Sequence, residues 1–166
     1  MNERFDRILF WIRLLSIVAV AVCLVLLYEY VRLEAGLDGK SFCNISKTIN
    51  CDVVSQSKWS RLFGFPVAGY GFGFYLCVFV IGLLGTGGRL LPFRIAGDVL
   101  LIMALFSVFF AIYLFSISAF VIGSFCILCA CLYVINILFF VLAFVLDRER
   151  PFGQRLTGGR TAVFGF

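Results

Sequence analysis

Seven cysteines and no histidine leave sulfur as the reactive element of this chain. Four of the seven form two pairs whose spacing suits thiol chemistry. Cys126 and Cys129, in GSFCILCACLY, lie three positions apart, so a helix puts both on one face and a small disulfide can close between them. Cys43 and Cys51, in SFCNISKTINC, lie eight apart among Asn, Ser, Lys and Thr. Such a pair can bond within a loop and still swing to reach another sulfur. Exchange needs a thiolate to attack a disulfide through a mixed-disulfide intermediate, so a mobile pair beside a fixed one is the pattern of a relay. With Cys126 in a first helical turn, unpaired N–H groups and the helix dipole favour its thiolate; no Lys, Arg or His stands near it to help.

Each pair also has a plainer reading. CxxC in an apolar helix is compatible with packing, and Cys43 with Cys51 is compatible with a structural staple. Four thiolates could hold zinc or cuprous copper, although neither His nor a Met cluster accompanies them and one pair spans an eight-residue gap. Cys23, Cys77 and Cys131 read as small apolar fillers.

What positions the pairs follows from composition. The 166 residues are 63% hydrophobic and 14% charged, with 21 Phe against 3 Pro. Soluble domains are roughly half apolar and about a quarter charged. This is the composition of an integral membrane protein. A span needs about 20 apolar residues. The first runs from Leu14 to Tyr30 behind Arg4, Arg7 and Arg13. It reads as a retained helix because no small-x-small cleavage site follows it. The second covers Phe65 to Leu84. From Arg94 to Asp147 the only intervening charge is Asp98, which is right for two spans joined by a turn near Ser116 to Ser124. The expected fold is all-α: a four-transmembrane-helix bundle with a long loop, 31–64, between helices one and two. Residues 1–13 and 147–166 flank the membrane domain 14–146.

An even number of spans puts both termini on one side. Of 14 Lys and Arg, nine (Arg4, Arg7, Arg13, Arg89, Arg94, Arg148, Arg150, Arg155, Arg160) share that side, and five (Arg32, Lys40, Lys47, Lys58, Arg61) fall in the first loop. The positive-inside rule then makes the termini cytoplasmic and the loop extracytoplasmic. The net charge of +5 is a topology signal rather than a nucleic-acid patch. Both cysteine pairs meet at one membrane face, in an oxidising compartment.

The ordered set CNISKTINCDVVSQS, then four helices with FCILCACLYVIN opening the fourth, resembles the vitamin K epoxide reductase (VKOR) family from about Arg13 to Leu146. The DsbB family has its CxxC in the first loop and its wide pair later, the reverse order. The resemblance implies a membrane thiol-disulfide oxidoreductase in which Cys129 passes electrons to a quinone of the ubiquinone, menaquinone or vitamin K type. Cys126 bonds transiently with Cys51, and Cys43 trades disulfides with a thioredoxin-fold, DsbA-like partner. Ser57 caps the quinone pocket, and Tyr133, one turn past Cys129, points into it. The vertebrate branch carries an Asn before helix two that contacts the ligand carbonyl; here KWSRLFGFPVAG has none, which separates quinone reduction from epoxide recognition. With no fused thioredoxin-like domain in these 166 residues, the partner is expected to be a separate protein.

A ring-binding pocket also has physical support. Phe72, Phe74, Phe106, Phe109, Phe110 and Phe125 can wall a flat ligand, with Phe72 and Phe110 the favoured contacts, although Phe is also ordinary lipid-facing material. AGYGFGF is not a dinucleotide fingerprint, since no strand precedes it. Its Gly69 and Gly73 read as a small-xxx-small packing face. The expectation is a bacterial inner-membrane enzyme that oxidises exported thiols and reduces a quinone, without metal or nucleic acid. Epoxide reduction in an endoplasmic reticulum and a thiolate metal-binding membrane protein are the alternatives.

Overall fold

The computed structural model describes residues 2–36, 43–46, 48–86 and 91–149. Lys40, Lys47, Arg89 and the tail 150–166 lie outside that set, so the part of the charge count that rests on them has no structural counterpart here.

Four helices are long and apolar enough to cross a membrane. They are α1 (Asn2–Glu34), α3 (Val67–Leu84), α4 (Phe93–Ile117) and α5 (Ile127–Arg148); a short α2 (Cys51–Gln56) lies in the first loop. Helix is the form that satisfies every backbone group within one segment in lipid, so long apolar runs can hardly do otherwise. The chain is an all-α membrane bundle. At 33 residues α1 is about 50 Å long, well beyond the ~30 Å hydrocarbon layer. It therefore begins twelve residues before the expected span and extends beyond it at the other end too.

Helix α1 packs on α3 and α5, and α4 packs on α5 and α3. Three buried clusters succeed one another along α1. The first joins Leu9 and Ile12 to Val78, Leu100, Phe139 and Ala143. The second joins Ala19 and Cys23 to Tyr75 and Ile135. The third joins Leu26 to Cys43, Cys51 and Cys126. The core thus runs from wholly aliphatic and aromatic at one end to sulfur at the other. An Arg4–Glu149 ion pair of 4.0 Å puts the start of α1 and the end of α5 together at the end away from the cysteines.

The close helix approaches differ from those expected. A Cβ on Gly73 would meet nothing within 4 Å, and one on Gly69 would touch only Pro66 and Phe65. Within AGYGFGF the tight site is Gly71, where a Cβ would stand 3.1 Å from Cys23 Sγ; further along α3, one on Gly82 would stand 3.0 Å from Arg13 Cγ. The intervening residue of AGYGFGF, and not the four-apart pair, lets α1 approach α3.

Two turns set the loop end. Phe63 (φ 52°) and Gly64 (φ 83°) form the two-residue loop of a hairpin, β1 (Arg61–Leu62) with antiparallel β2 (Phe65–Pro66). Positive φ at both central residues is the type I′ arrangement that matches strand twist. Residues 65–66 belong to this hairpin, so the second spanning helix starts at Val67 rather than Phe65. Helix α4 ends in one π-helical turn, Ser118–Ile122, closed by Gly123 at φ 69°. This reversal lies inside the expected segment, 116–124.

Candidate functional site

Helix α5 starts immediately after Cys126, which occupies the N-cap with extended backbone. Its Sγ accepts the Cys129 backbone N–H at 3.4 Å, the role Ser or Asp plays at most helix starts. Hydrogen bonds from the Cys129 thiol and from the backbone N–H groups of residues 129 and 128 hold the Cys126 thiol below its ordinary value of 9.0, against the opposing effect of burial. Cys126 stands at the N-cap rather than in the first turn, and the neighbouring thiol has a larger effect on it than the backbone N–H groups of the helix start. Cys129 sits three residues in, half-buried.

Cys43 and Cys51 are joined by a disulfide with Cα atoms 5.8 Å apart. Both are buried, as is Cys126, and the three belong to one cluster that Cys129 borders. Backbone pairing brings them there. Ile49 and Phe125 form an isolated parallel bridge, with Asn50 N–H donating to the Phe125 carbonyl (3.0 Å) and Phe125 N–H to the Thr48 carbonyl (2.8 Å). Each member of this bridge precedes a redox candidate, Cys51 on one side and Cys126 on the other. A loop and a helix start far apart in sequence are thereby held in register.

Side chains fasten the loop from the other side. Arg32, near the end of α1, lies 2.9 Å from Glu29 and 3.9 Å from Asp52, the residue after Cys51. Asn44, the residue after Cys43, donates its amide to the Asp52 carboxylate and accepts the Asp52 N–H at 3.4 Å. Asn50 caps α2 by accepting the Val53 N–H at 3.1 Å. Glu29 is only 6% exposed, so these charges are desolvated and held in place. Neither Arg32 nor Asp52 was a sequence candidate. The signal available was a Glu and an Arg one turn apart at the end of a span.

Beside the sulfur cluster opens a cavity of about 390 Å³. Cys129, Tyr133 and Ser57 border it, as do Phe106 and Phe110, whose rings stack at 6.1 Å and 10°. Tyr133 stands edge-on to Phe115 at 5.9 Å. Ser57 is the C-cap of α2 and donates its hydroxyl to the Val54 carbonyl at 2.8 Å. Phe72 is the correction. It packs against the Ala19, Cys23, Tyr75 and Ile135 cluster and is not a cavity-lining residue, while Phe74, two positions along, is. Side-chain direction on a helix, not ring type, decides which Phe faces inward. Phe109, 70% exposed, points outward.

Among the remaining cysteines, Cys77 and Cys131 are exposed on the outer helix surface. Cys23 is fully buried and reaches the cavity. Sequence reasoning also passed over Tyr75 and Asn136 as site residues. The Tyr75 hydroxyl donates to Asn136 Oδ1 at 2.7 Å across α3 and α5, and both residues border the cavity. A lone amide in an apolar span was the signal that could have found them.

Chemically, the arrangement offers a thiol held below its ordinary range, a second thiol bordering an aromatic-walled space, and a disulfide in the same buried cluster. The walls suit a flat ring carrying hydrogen-bond acceptors. Among the described residues no group of three metal-ligating side chains converges. A family model described as the vitamin K epoxide reductase family matches residues 10–144, which includes all four paired cysteines.

Proposed function

Because the chain belongs to the vitamin K epoxide reductase family and is a four-helix membrane oxidoreductase, we propose that it oxidises a thioredoxin-fold, DsbA-like protein and delivers the electrons to a quinone. The observation that carries this reading is the Ile49–Phe125 bridge. It sets Cys51 and Cys126 in one buried cluster next to the cavity that Cys129 borders.

The exchange runs in balanced steps. A partner thiolate attacks the Cys43–Cys51 disulfide at Cys43, and Cys51 leaves as a thiolate. The partner's second thiol resolves the mixed disulfide, so the partner leaves oxidised and the loop pair reduced. Cys51 thiolate then attacks a Cys126–Cys129 disulfide at Cys126, and Cys129 leaves. Cys43 attacks Cys51, restoring the loop disulfide and leaving Cys126 and Cys129 as thiols. That end point has the loop pair joined and the CxxC reduced. A bound quinone supplies the acceptor for the two electrons and two protons released when Cys126 and Cys129 close their disulfide again. Each transfer is downhill when the couples are ordered partner, loop, CxxC, quinone; ~30 mV between dithiol couples corresponds to ~1.4 kcal/mol.

The residues around the sulfurs have separate tasks. The helix start keeps Cys126 a good leaving and attacking group. Tyr133 and Ser57 bound the ring site, and the aromatic walls exclude water from it. With the loop end facing the periplasm or exterior of a bacterial inner membrane and both termini cytoplasmic, the relay serves exported proteins. The test is restoration of disulfide formation in a bacterium lacking its own membrane oxidase, together with quinone reduction by the purified protein and a dithiol. Activity in both that vanishes with Cys126→Ala and Cys129→Ala is expected. Rescue that survives both substitutions, or a purified protein that reduces no quinone, overturns the reading.

A further inference from the structure

Around an apolar cavity, each polar side chain must satisfy its hydrogen bonds or leave them for an occupant. The hydroxyls of Ser57, Ser107 and Ser118 are already committed, to the carbonyls of Val54 (2.8 Å), Ala104 (2.8 Å) and Ser124 (2.6 Å). The Tyr75 hydroxyl is committed to Asn136 Oδ1. Two groups on α5 are different, the Tyr133 hydroxyl, which makes no side-chain hydrogen bond among the described residues, and the Asn136 amide nitrogen. The Asn136 side chain makes no other hydrogen bond among the described residues, yet Asn136 is only 8% exposed and borders the cavity. An amide nitrogen carries two donors, and leaving them without acceptors against apolar walls is costly.

A structural role does not account for this. Fastening α3 to α5 uses the amide oxygen alone, through Tyr75, and that contact turns the nitrogen away from the tyrosine. Position along α5 adds to the case. Cys129, Tyr133 and Asn136 are related as i, i+4 and i+7, one face of the helix. Asn136 stands about 4.5 Å further along the axis than Tyr133. Donors at two levels of one wall match a flat ring that has acceptors on opposite edges.

We infer that Asn136, its amide oriented by the Tyr75 hydroxyl, donates a hydrogen bond to the quinone carbonyl farther from Cys129 and so selects para-quinones over flat acceptors that lack that carbonyl. The inference rests on the quinone reading above. Tyr75 is the positioning residue: its hydroxyl fixes which end of the amide faces the ring. A carbonyl held this way also accumulates negative charge next to a donor as electrons arrive, which favours reduction at this site.

The test measures binding, apart from turnover. Oxidised protein in phosphatidylcholine nanodiscs is titrated with 2-methyl-1,4-naphthoquinone and with phenazine methosulfate, a flat acceptor without carbonyls. Quenching of tryptophan fluorescence reports occupancy, since Trp59 borders the cavity. Isotope-edited infrared spectra of carbonyl-labelled naphthoquinone report its hydrogen bonding. Asn136→Leu is expected to weaken naphthoquinone binding about five- to tenfold, the weight of one hydrogen bond. It should leave the phenazine within about twofold and raise the bound C=O stretching frequency. Asn136→Val, smaller and without any donor, is expected to act alike and covers the case in which the leucine variant does not fold. Tyr75→Phe keeps the amide but frees it, so a smaller loss of about two- to threefold is expected. An unchanged naphthoquinone affinity and C=O frequency in Asn136→Val, or equal weakening of both ligands, overturns the inference while the quinone reading stands. Wild-type protein that binds no naphthoquinone overturns both.

Discussion

The two cysteine pairs reach the same buried cluster by opposite means. Cys126 and Cys129 are fixed by a regular element: one caps α5 and the other sits in its first turn, so their separation follows from the helical repeat. Cys43 and Cys51 are held by a short helix, one backbone bridge and a desolvated set of side chains, Glu29, Arg32, Asp52 and Asn44. Helix geometry is hard to disturb, whereas a few polar contacts can be broken and remade. In the proposed relay this difference makes the CxxC the stationary pair and the loop pair the one that moves.

The largest effect expected is on the stationary pair. Cys129→Ala should reduce quinone reduction to background and let a Cys51–Cys126 disulfide accumulate, visible as a mobility shift on non-reducing gels. Full turnover in that variant would mean another sulfur faces the acceptor. The loop pair should behave differently: Cys43→Ala is expected to lose oxidation of a protein partner by at least about tenfold more than oxidation of a small dithiol, which can bypass the loop. Equal loss with both reductants would erase the distinction between the pairs.

Polar fastening gives a sharper probe. Arg32→Met removes hydrogen bonds to charged groups and is expected to cost about 2 kcal/mol, read as a lower midpoint in thermal unfolding. A further sign of its role would be a raised KM for the protein partner with an unchanged rate for small dithiols. The helix-borne pair has its own signature in pH. Since hydrogen bonds keep the Cys126 thiol below 9.0, its thiolate persists as pH falls beneath the ordinary thiol range. Alkylation of reduced Cys126 by a small electrophile in Cys129→Ala, which removes one of those bonds, should therefore need a higher pH than in Cys131→Ser. An identical profile in the two variants would assign the shift to the backbone alone. The smallest effect is expected from Gly123→Ala. A side chain at φ 69° costs about 1 kcal/mol in the turn that leads into Cys126, measurable as a modest shift in unfolding midpoint without loss of activity.

Much of this architecture was legible before any coordinates. Apolar length marks four spans, and the Ser, Gly cluster at 116–124 marks the reversal between α4 and α5. CxxC at a span's start places Cys126 within a residue of its position, in the first turn where the structure has it at the N-cap. Less legible were the 61–66 hairpin, whose strands are two residues each and whose turn has Phe63 at a positive φ that few sequences advertise. The ends of α1 were also missed, because hydropathy marks what lies in lipid and α1 continues beyond it at both ends. Phe72 and Gly69 with Gly73 were assigned inward or packing roles by residue type. Which way a helix is rotated about its axis depends on its neighbours: Phe72 packs on a buried cluster without lining the cavity, and a Cβ on Gly69 or Gly73 would meet no α1 atom within 4 Å.

Sequence by itself determined the class of solvent, the count of spans and the types of sulfur pair, since these follow from composition, length and local spacing. Only the tertiary structure decided that residue 49 pairs with residue 125, that Arg32 reaches Asp52, and that the Tyr75 hydroxyl meets the Asn136 amide oxygen beside a cavity. Those contacts join segments remote along the chain, and their energies depend on burial and direction that no local pattern encodes.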